Sequence, residues 1–194
     1  MSCSTKHTFT ATELALIGDS ADAGSMRVLK TNNEADSLQL RKESQPLTAE
    51  DLKTETYAVL KARMLATVTD PENDGVGIAA PQVGIMRRLI AVQRYDKEGE
   101  PFEFYANPTI ERYSVTKAIG SEGCLSVPNR SESVERSESI VLSYLDEATG
   151  KYAEEAIGGF TAVIFQHEVD HLDGVLYIDK VVEVPAETEN DPEQ

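Results

Sequence analysis

The residues with the clearest chemical potential form the pattern His-Glu-x-x-His, from His167 to His171. On a helix, residues four apart lie on one face, so the two imidazoles can bind one metal ion. Glu168, beside the first histidine, is placed to exchange a proton with a metal-bound water. The chain has only three histidines, and two of them lie here. The pattern predicts a metal site, although histidine pairs at this spacing also occur on solvated or core-packed helices.

A tetrahedral catalytic site needs a third protein ligand and leaves its fourth position to water or substrate. Cys124 is the candidate for this ligand, because the turn residues around it could present its sulfur to a cleft. The alternative is a small buried cysteine in the core. A third stretch, residues 75–84, is rich in glycine and alanine, which indicates a backbone that another group approaches closely.

Composition limits the kind of protein that this can be. The 194 residues are enough for one domain with a sizeable core. The net charge of −16 argues against direct nucleic-acid binding and slightly favours positively charged substrates, although solubility is the simpler explanation. Two cysteines, Cys3 and Cys124, suit a reducing compartment, and Cys3 is either a free thiol or a modified residue. We expect neither a signal peptide nor a membrane span.

The elements that must position these residues follow from periodicity. A long helix is predicted from Thr48, with Asp51 completing its cap, to a point before Pro71. A second helix is predicted over residues 161–172, with Gly174 just past its end. Short strands are predicted at 88–93, 102–105, 140–145 and 175–178. This order predicts one α+β domain with antiparallel pairing, divided into an N-terminal extension that is partly irregular (1–45), a metallohydrolase domain (46–182) and an acidic tail (183–194).

Three segments taken together resemble the ordered motifs of peptide deformylases. They are Gly75-Val76-Gly77-Ile78-Ala79-Ala80-Pro81-Gln82, Glu122-Gly123-Cys124-Leu125-Ser126 and Gln166-His167-Glu168-Val169-Asp170-His171. The resemblance covers about residues 46–180. It implies an α+β fold in which mainly antiparallel sheets pack around a central helix that carries His-Glu-x-x-His, together with a second long helix.

The resemblance also implies a mechanism. Cys124, His167 and His171 correspond to the metal ligands, and the metal is iron(II) natively, with zinc or nickel able to substitute. Glu168 corresponds to the general acid/base for a metal-bound water that attacks the formyl carbon. Gln82 and the backbone N–H of Leu125 correspond to the donors that stabilise the oxyanion.

The implied reaction is hydrolysis of the N-formyl group from the initiator methionine of newly synthesised polypeptides, which releases formate. The partners are therefore formyl-methionyl nascent chains, with the ribosome as a candidate partner, and the implied location is the cytoplasm. We expect the peptide to pair, strand-like, with Val76, Gly77 and Ile78. We expect the methionine pocket to be lined by Val76, Phe160, Val163 and Ile164, the last two of which could instead be plain helix core.

Further residues are expected to support the site. Glu122 is expected to be a hydrogen-bond partner of the site. Asp74 and Arg136 are expected to form an ion pair that ties their loops together, although two unlinked surface charges are the alternative. One departure concerns the arginine that many relatives carry in the third position after the Val-Pro of the second motif. Here Arg130 occupies the second position, which puts in doubt the register of any contact with substrate.

Two other functions compete with this interpretation. A zinc metallopeptidase of the His-Glu-x-x-His kind would need a ligand after His171, where the chain offers no histidine and no room for another helix, and it would leave Cys124 unexplained. A catalytically silent relative that binds amino termini or a metal would be expected to lack Glu168, Gln82 or Cys124, and all three are present.

Overall fold

The chain folds around a five-stranded antiparallel sheet in its computed structural model, which describes residues 8–183. In chain order the strands are β1 Gly77–Ala79, β2 Leu89–Gln93, β3 Phe102–Tyr113, β4 Lys117–Cys124, β5 Val127–Ser137, β6 Ser139–Leu145 and β7 Tyr152–Gly158. The order across the large sheet is β1-β2-β3-β6-β7, while β4 and β5 pair as a separate hairpin. The predicted α+β class and antiparallel pairing are confirmed.

Two of the four α-helices found in residues 8–183 enclose the large sheet. The helices are α1 Ala11–Ile17, α2 Glu34–Leu40, α3 Glu55–Val68 and α4 Gly159–Leu172. Strand β2 shows how the layers form, because Leu89 and Ala91 pack in the core cluster of α3, whereas Ile90 and Val92 pack in the cluster of α4. Successive side chains of a strand point to opposite faces, so a strand covered on both faces is an unbroken apolar run. The central helix that carries His-Glu-x-x-His is therefore α4.

Some predicted element bounds were wrong. Thr48 and Asp51 do form reciprocal hydrogen bonds, but Asp51 begins a 3₁₀ turn over Asp51–Lys53. The helix α3 begins only at Glu55, with Thr54 as its cap. Residues 175–178 do not form a strand, because the chain enters a 3₁₀ turn over Tyr177–Asp179. The hairpin of β4 and β5 was not predicted, since its largely exposed residues lack apolar alternation.

The segment before residue 46 packs closely on the rest of the protein. Phe9 and Ile17 are buried in the core cluster of α3. The buried Arg87 binds both carboxylate oxygens of Glu13, at 3.0 and 2.9 Å. Residues 8–45 thus contribute to the core, and the predicted boundary at residue 45 stays a prediction. Cys3 and most of the predicted acidic tail lie outside the described residues. None of the helices within residues 8–183 is both long and apolar enough to cross a membrane.

Candidate active site

A cluster of three potential metal ligands lies where the end of β4 meets α4. Cys124 ends β4, while His167 and His171 lie one turn apart on α4, with ring centroids 5.0 Å apart. The ligand atoms of the three residues all lie within 4.8 Å of one another. The Cys124 Sγ is 3.3 Å from His171 Nε2. One cation could therefore be reached by all three side chains.

The donor set fits a divalent transition metal. One cysteine and two imidazoles suit iron, zinc or nickel. A hydrogen bond joins His167 Nδ1 to Glu122 Oε2, at 2.9 Å. The other ring nitrogen, Nε2, is therefore left for a cation. Burial lowers the pKa of His171, so its imidazole is in the neutral form that binds metals. Burial opposes a positive charge on His167, but hydrogen bonds to Cys124 and Glu122 raise its pKa to about 10. The same two groups that stabilise the protonated ring would also stabilise a metal cation.

Behind His167, a buried ion-pair network holds Glu122 in place. Arg136, only 4% exposed, donates from Nε and Nη2 to the two oxygens of Glu122, at 2.7 and 3.0 Å. Burial would raise the pKa of Glu122, but Arg136 and His167 hold it at about 2. Glu122 is therefore an anion that fixes the orientation of the His167 ring.

The structure contradicts the predicted ion pair between Asp74 and Arg136. Arg136 Nη1 donates instead to Asp170, at 2.6 Å, and Asp170 also accepts from Lys180, at 2.7 Å. Among the described residues Asp74 forms no ion pair, and it lines the cavity described below. Asp170 is a residue that sequence reasoning missed, because an acid inside a helix motif gives no signal of an arginine brought in from another element.

Gln82 points its amide nitrogen toward the metal-ligand cluster. Its Oε1 accepts from the Ala79 backbone N–H at 2.8 Å, which leaves Nε2 to face Cys124 Sγ at 3.5 Å and Ser126 Oγ at 3.2 Å. The network thus fixes which end of the amide is the donor. Leu125 lies in the two-residue connection between β4 and β5, on the wall of the same cavity. Ser126, which sequence reasoning also missed, helps to orient Gln82.

Glu168 is buried beside β1. Burial raises its pKa to about 7, and its Oε2 has no hydrogen-bond partner among the described residues. A Cβ added to Gly77 would lie 2.5 Å from Glu168 Oε1, so only glycine leaves room for this carboxylate. A carboxyl group with a pKa near neutrality can both accept and return a proton, which general acid/base chemistry requires.

Cys124, His167, Gln82 and Glu168 line a cavity of about 390 Å³ between β1 and the end of β4. Five of the predicted substrate-binding residues line it, namely Val76, Gly77, Phe160, Val163 and Ile164. The side chain of Ile78 does not, because it is fully buried in the core, so only its backbone could meet a peptide. Arg130 is also absent from the lining, and its guanidinium donates to Glu132 at 2.8 Å.

The comparisons with known proteins identify the family of the chain. Residues 26–186 match the family described as polypeptide deformylase. The chain belongs to this family. It is 35% identical, over 162 residues, to the peptide deformylase of Leptospira biflexa, an alignment that covers 80% of this chain and 87% of that one. The family is metal-dependent, and the three-residue cluster is a candidate site for the metal.

Solved structures give the same result for the fold. The class I type b peptide deformylase from Acinetobacter baumannii, solved with Met-Ala-Ser bound, is 36% identical with a TM-score of 0.71, covering 81% of this chain and 98% of that one. The peptide deformylase from Thermotoga maritima is 34% identical with a TM-score of 0.70, covering 82% and 99%. The predicted family, fold and enzyme class are confirmed.

Proposed function

We propose that this chain hydrolyses the N-formyl group from formyl-methionyl ends of newly synthesised polypeptides, releasing formate and a free amino terminus. The observation that carries the proposal is the close cluster of Cys124, His167 and His171, two of which, Cys124 and His167, line one cavity with Glu168. The Acinetobacter enzyme solved with Met-Ala-Ser supports it, because that tripeptide has the free methionine amine that deformylation would produce. The nature of this substrate leads us to propose the cytoplasm as the location and the ribosome as a candidate partner.

Cys124, His167 and His171 would hold one divalent cation, and we propose iron(II) as the native ion, with zinc or nickel able to replace it. When bound, the cation supplies a Lewis acid that activates water and polarises the formyl carbonyl. Glu122 would keep the ring of His167 in the orientation that presents Nε2 to it.

Glu168 would handle the proton of the reaction. The buried carboxylate would take a proton from the attacking water and return it to the amine as the bond between the formyl carbon and nitrogen breaks. Gln82 Nε2 and the Leu125 N–H would donate hydrogen bonds to the oxygen that gains negative charge. The products are formate and the protonated amine, so atoms and protons balance without a further reactant.

The peptide would lie along the edge of β1 that faces away from β2, the one strand that β1 pairs with in the described part of the chain. Val76, Gly77 and the backbone of Ile78 would pair with it in the manner of an added strand. The methionine side chain would lie against Val76, Phe160, Val163 and Ile164, an apolar wall suited to an unbranched side chain.

Formate release tests the proposal. Protein prepared without oxygen and loaded with iron(II), nickel or zinc would be given formyl-Met-Ala-Ser and, as the matched control, acetyl-Met-Ala-Ser. We expect formate from the first peptide and no acetate from the second, because an acetyl group is bulkier at the reacting carbon. A fully metallated protein that releases no formate would favour the silent binding protein over the enzyme.

A further inference from the structure

We infer that the N-terminal segment, residues 8–24, positions Gln82 for the reaction by holding the turn that carries it. The family match begins at residue 26, so the role of this segment does not follow from the family. The inference rests on the proposed function, in which Gln82 Nε2 donates to the oxygen that gains negative charge. Within the segment, Glu13 and Leu16 are the positioning residues.

Gln82 lies in a short turn whose own hydrogen bonds are few. This 3₁₀ turn spans Ala80–Val83 and ends at Gly84, which has a left-handed φ of +83°. The N–H of Ile85 closes it by donating to the Ala80 carbonyl, at 3.0 Å. A 3₁₀ turn has poorer hydrogen-bond geometry than an α-helix. The position of the turn therefore depends on the groups that pack around it.

Arg87 joins the chain just beyond this turn to the N-terminal segment. It is 6% exposed, and its Nε and Nη2 donate to the two carboxylate oxygens of Glu13, at 3.0 and 2.9 Å. Its Nη1 donates to Thr8 Oγ1 at 3.1 Å, and Nη2 also donates to the Thr8 carbonyl. Every hydrogen-bond partner that this guanidinium has among residues 8–183 belongs to the segment. A buried charge that loses such partners is strongly destabilised, so the two parts stay together.

The segment also packs directly against the end of the turn. A Cβ added to Gly84 would lie 3.3 Å from Leu16 Cδ1, so Leu16 covers this glycine. Ile17 is fully buried in the core cluster that also contains Val83. Arg63 of α3 donates to the carbonyls of Leu16 and Ile17, at 2.9 and 2.7 Å, which fixes this part of the segment. The segment thus holds the turn at two separate places.

The other side of the turn faces the metal-ligand cluster. Gln82 Nε2 lies 3.5 Å from Cys124 Sγ, and the Gln82 carbonyl accepts from the N–H of Leu29, at 2.7 Å. A shift of the turn would therefore move the amide of Gln82 relative to the cluster. A misplacement of about 1 Å that arises far from the chemistry can cost about 10²-fold in rate. Releasing the segment should cost part of what Gln82 contributes.

Formate release at saturating formyl-Met-Ala-Ser tests the inference, with metal content measured on the same samples. Glu13→Gln removes the charge that pairs with Arg87. We expect its kcat to fall by at least about threefold at unchanged metal content, but by less than the roughly 10²–10³-fold that a lost oxyanion donor costs. In a Gln82→Ala background the same substitution should change kcat by less than about twofold, because the group that it positions is gone.

Two further variants separate positioning from general stability. Leu16→Ala alters a side chain that is 45% exposed, so the protein should fold, and its kcat should fall in the same direction as that of Glu13→Gln. Glu147→Gln is the control, because Glu147 accepts from Tyr57 and Lys61, both at 2.5 Å, and does not line the cavity. We expect Glu147→Gln to lower the urea midpoint of unfolding and to leave kcat unchanged.

Hydrogen exchange gives a readout that needs no activity. The N–H groups of Gly84 and Ile85 should exchange faster in Glu13→Gln and Leu16→Ala than in wild-type protein, because the turn opens more often. Their exchange should stay at the wild-type rate in Glu147→Gln.

Two results would overturn the inference: wild-type kcat in the folded segment variants, or a Glu13→Gln loss that is just as large in the Gln82→Ala background. If Glu13→Gln does not fold, Leu16→Ala is tested alone and in the Gln82→Ala background by the same criteria. The failure of the proposed function would look different, because then the wild-type protein itself would release no formate. In that case, unchanged exchange at Gly84 and Ile85 would still overturn the inference, and faster exchange confined to the segment variants would support it.

Discussion

Replacing Gly77 with alanine should lower kcat without reducing the metal content of the protein. The added Cβ would lie 2.5 Å from Oε1 and 2.9 Å from Cδ of Glu168, and 2.9 Å from Cγ2 of Ile164. Ordinary van der Waals contact begins at 3.4 Å, so the carboxylate would have to withdraw by about 0.9 Å within a packed interior. A displacement of about 1 Å of a catalytic group can cost 10²-fold in rate. We therefore expect kcat to fall by about 10²-fold, while Gly77→Val should in addition impair peptide binding.

The assay is formate release at saturating formyl-Met-Ala-Ser, with metal content measured by elemental analysis on the same sample. Gly120→Ala is the control, because a Cβ added at this position of β4 meets nothing within 4 Å. Gly120→Ala should keep wild-type kcat, and both variants should keep their metal. A folded Gly77→Ala protein with wild-type kcat would refute the argument that glycine is needed for the approach of Glu168.

Three further predictions concern other parts of the structure. Gln82→Ala should lower kcat by about 10²–10³-fold, the usual loss for one oxyanion donor, with little change in metal content. Arg136→Met should lower the free energy of unfolding by about 3–5 kcal/mol in urea denaturation, because it leaves Glu122 buried without its partner, and should speed metal loss to a chelator. The ion pair between Arg94 and Asp96 lowers the pKa of Asp96 from an ordinary 3.8 to about 2. The contribution of this ion pair to stability should therefore be complete above pH 3.8 and disappear as the pH falls through 2. Urea denaturation between pH 5 and 2 should show this loss in wild-type protein and a smaller one in Asp96→Asn.

The metal ligands could be predicted because their chemistry is local in sequence. His167 and His171 are four residues apart on one helix, so their proximity follows from helix geometry alone. Cys124 was predictable only from the motif around it, since its approach to α4 depends on how the hairpin of β4 and β5 packs. The structure brings its sulfur to within 3.3 Å of His171 Nε2.

The partner of Arg136 could not be predicted in the same way. In the hairpin Arg136 lies opposite Ala118, not opposite Glu122, so strand register gives no sign of their ion pair. The pair forms because both long side chains turn toward the same face of α4, where Asp170 also lies. Such contacts depend on the packing of separate elements, and their members look like ordinary surface charges in the sequence.

The strand predicted at residues 175–178 was wrong for a related reason. Leu176 and Tyr177 are buried against Val127 and Val134 of the hairpin, so they are apolar because they cover a small core cluster. A short apolar run does not distinguish a strand from a buried turn. The phenol of Tyr177 donates to the Arg130 carbonyl at 2.7 Å, which ties this turn to the second strand of the hairpin.

The most direct test of the central claim compares formate release by wild-type protein and Glu168→Ala, each with its metal content measured. The account predicts rapid release by the wild type and a loss of about 10²–10⁴-fold in the variant at equal metal content, because only the proton transfer has been removed. Equal rates in the two fully metallated proteins would contradict the role of Glu168, and with it the mechanism derived from this site.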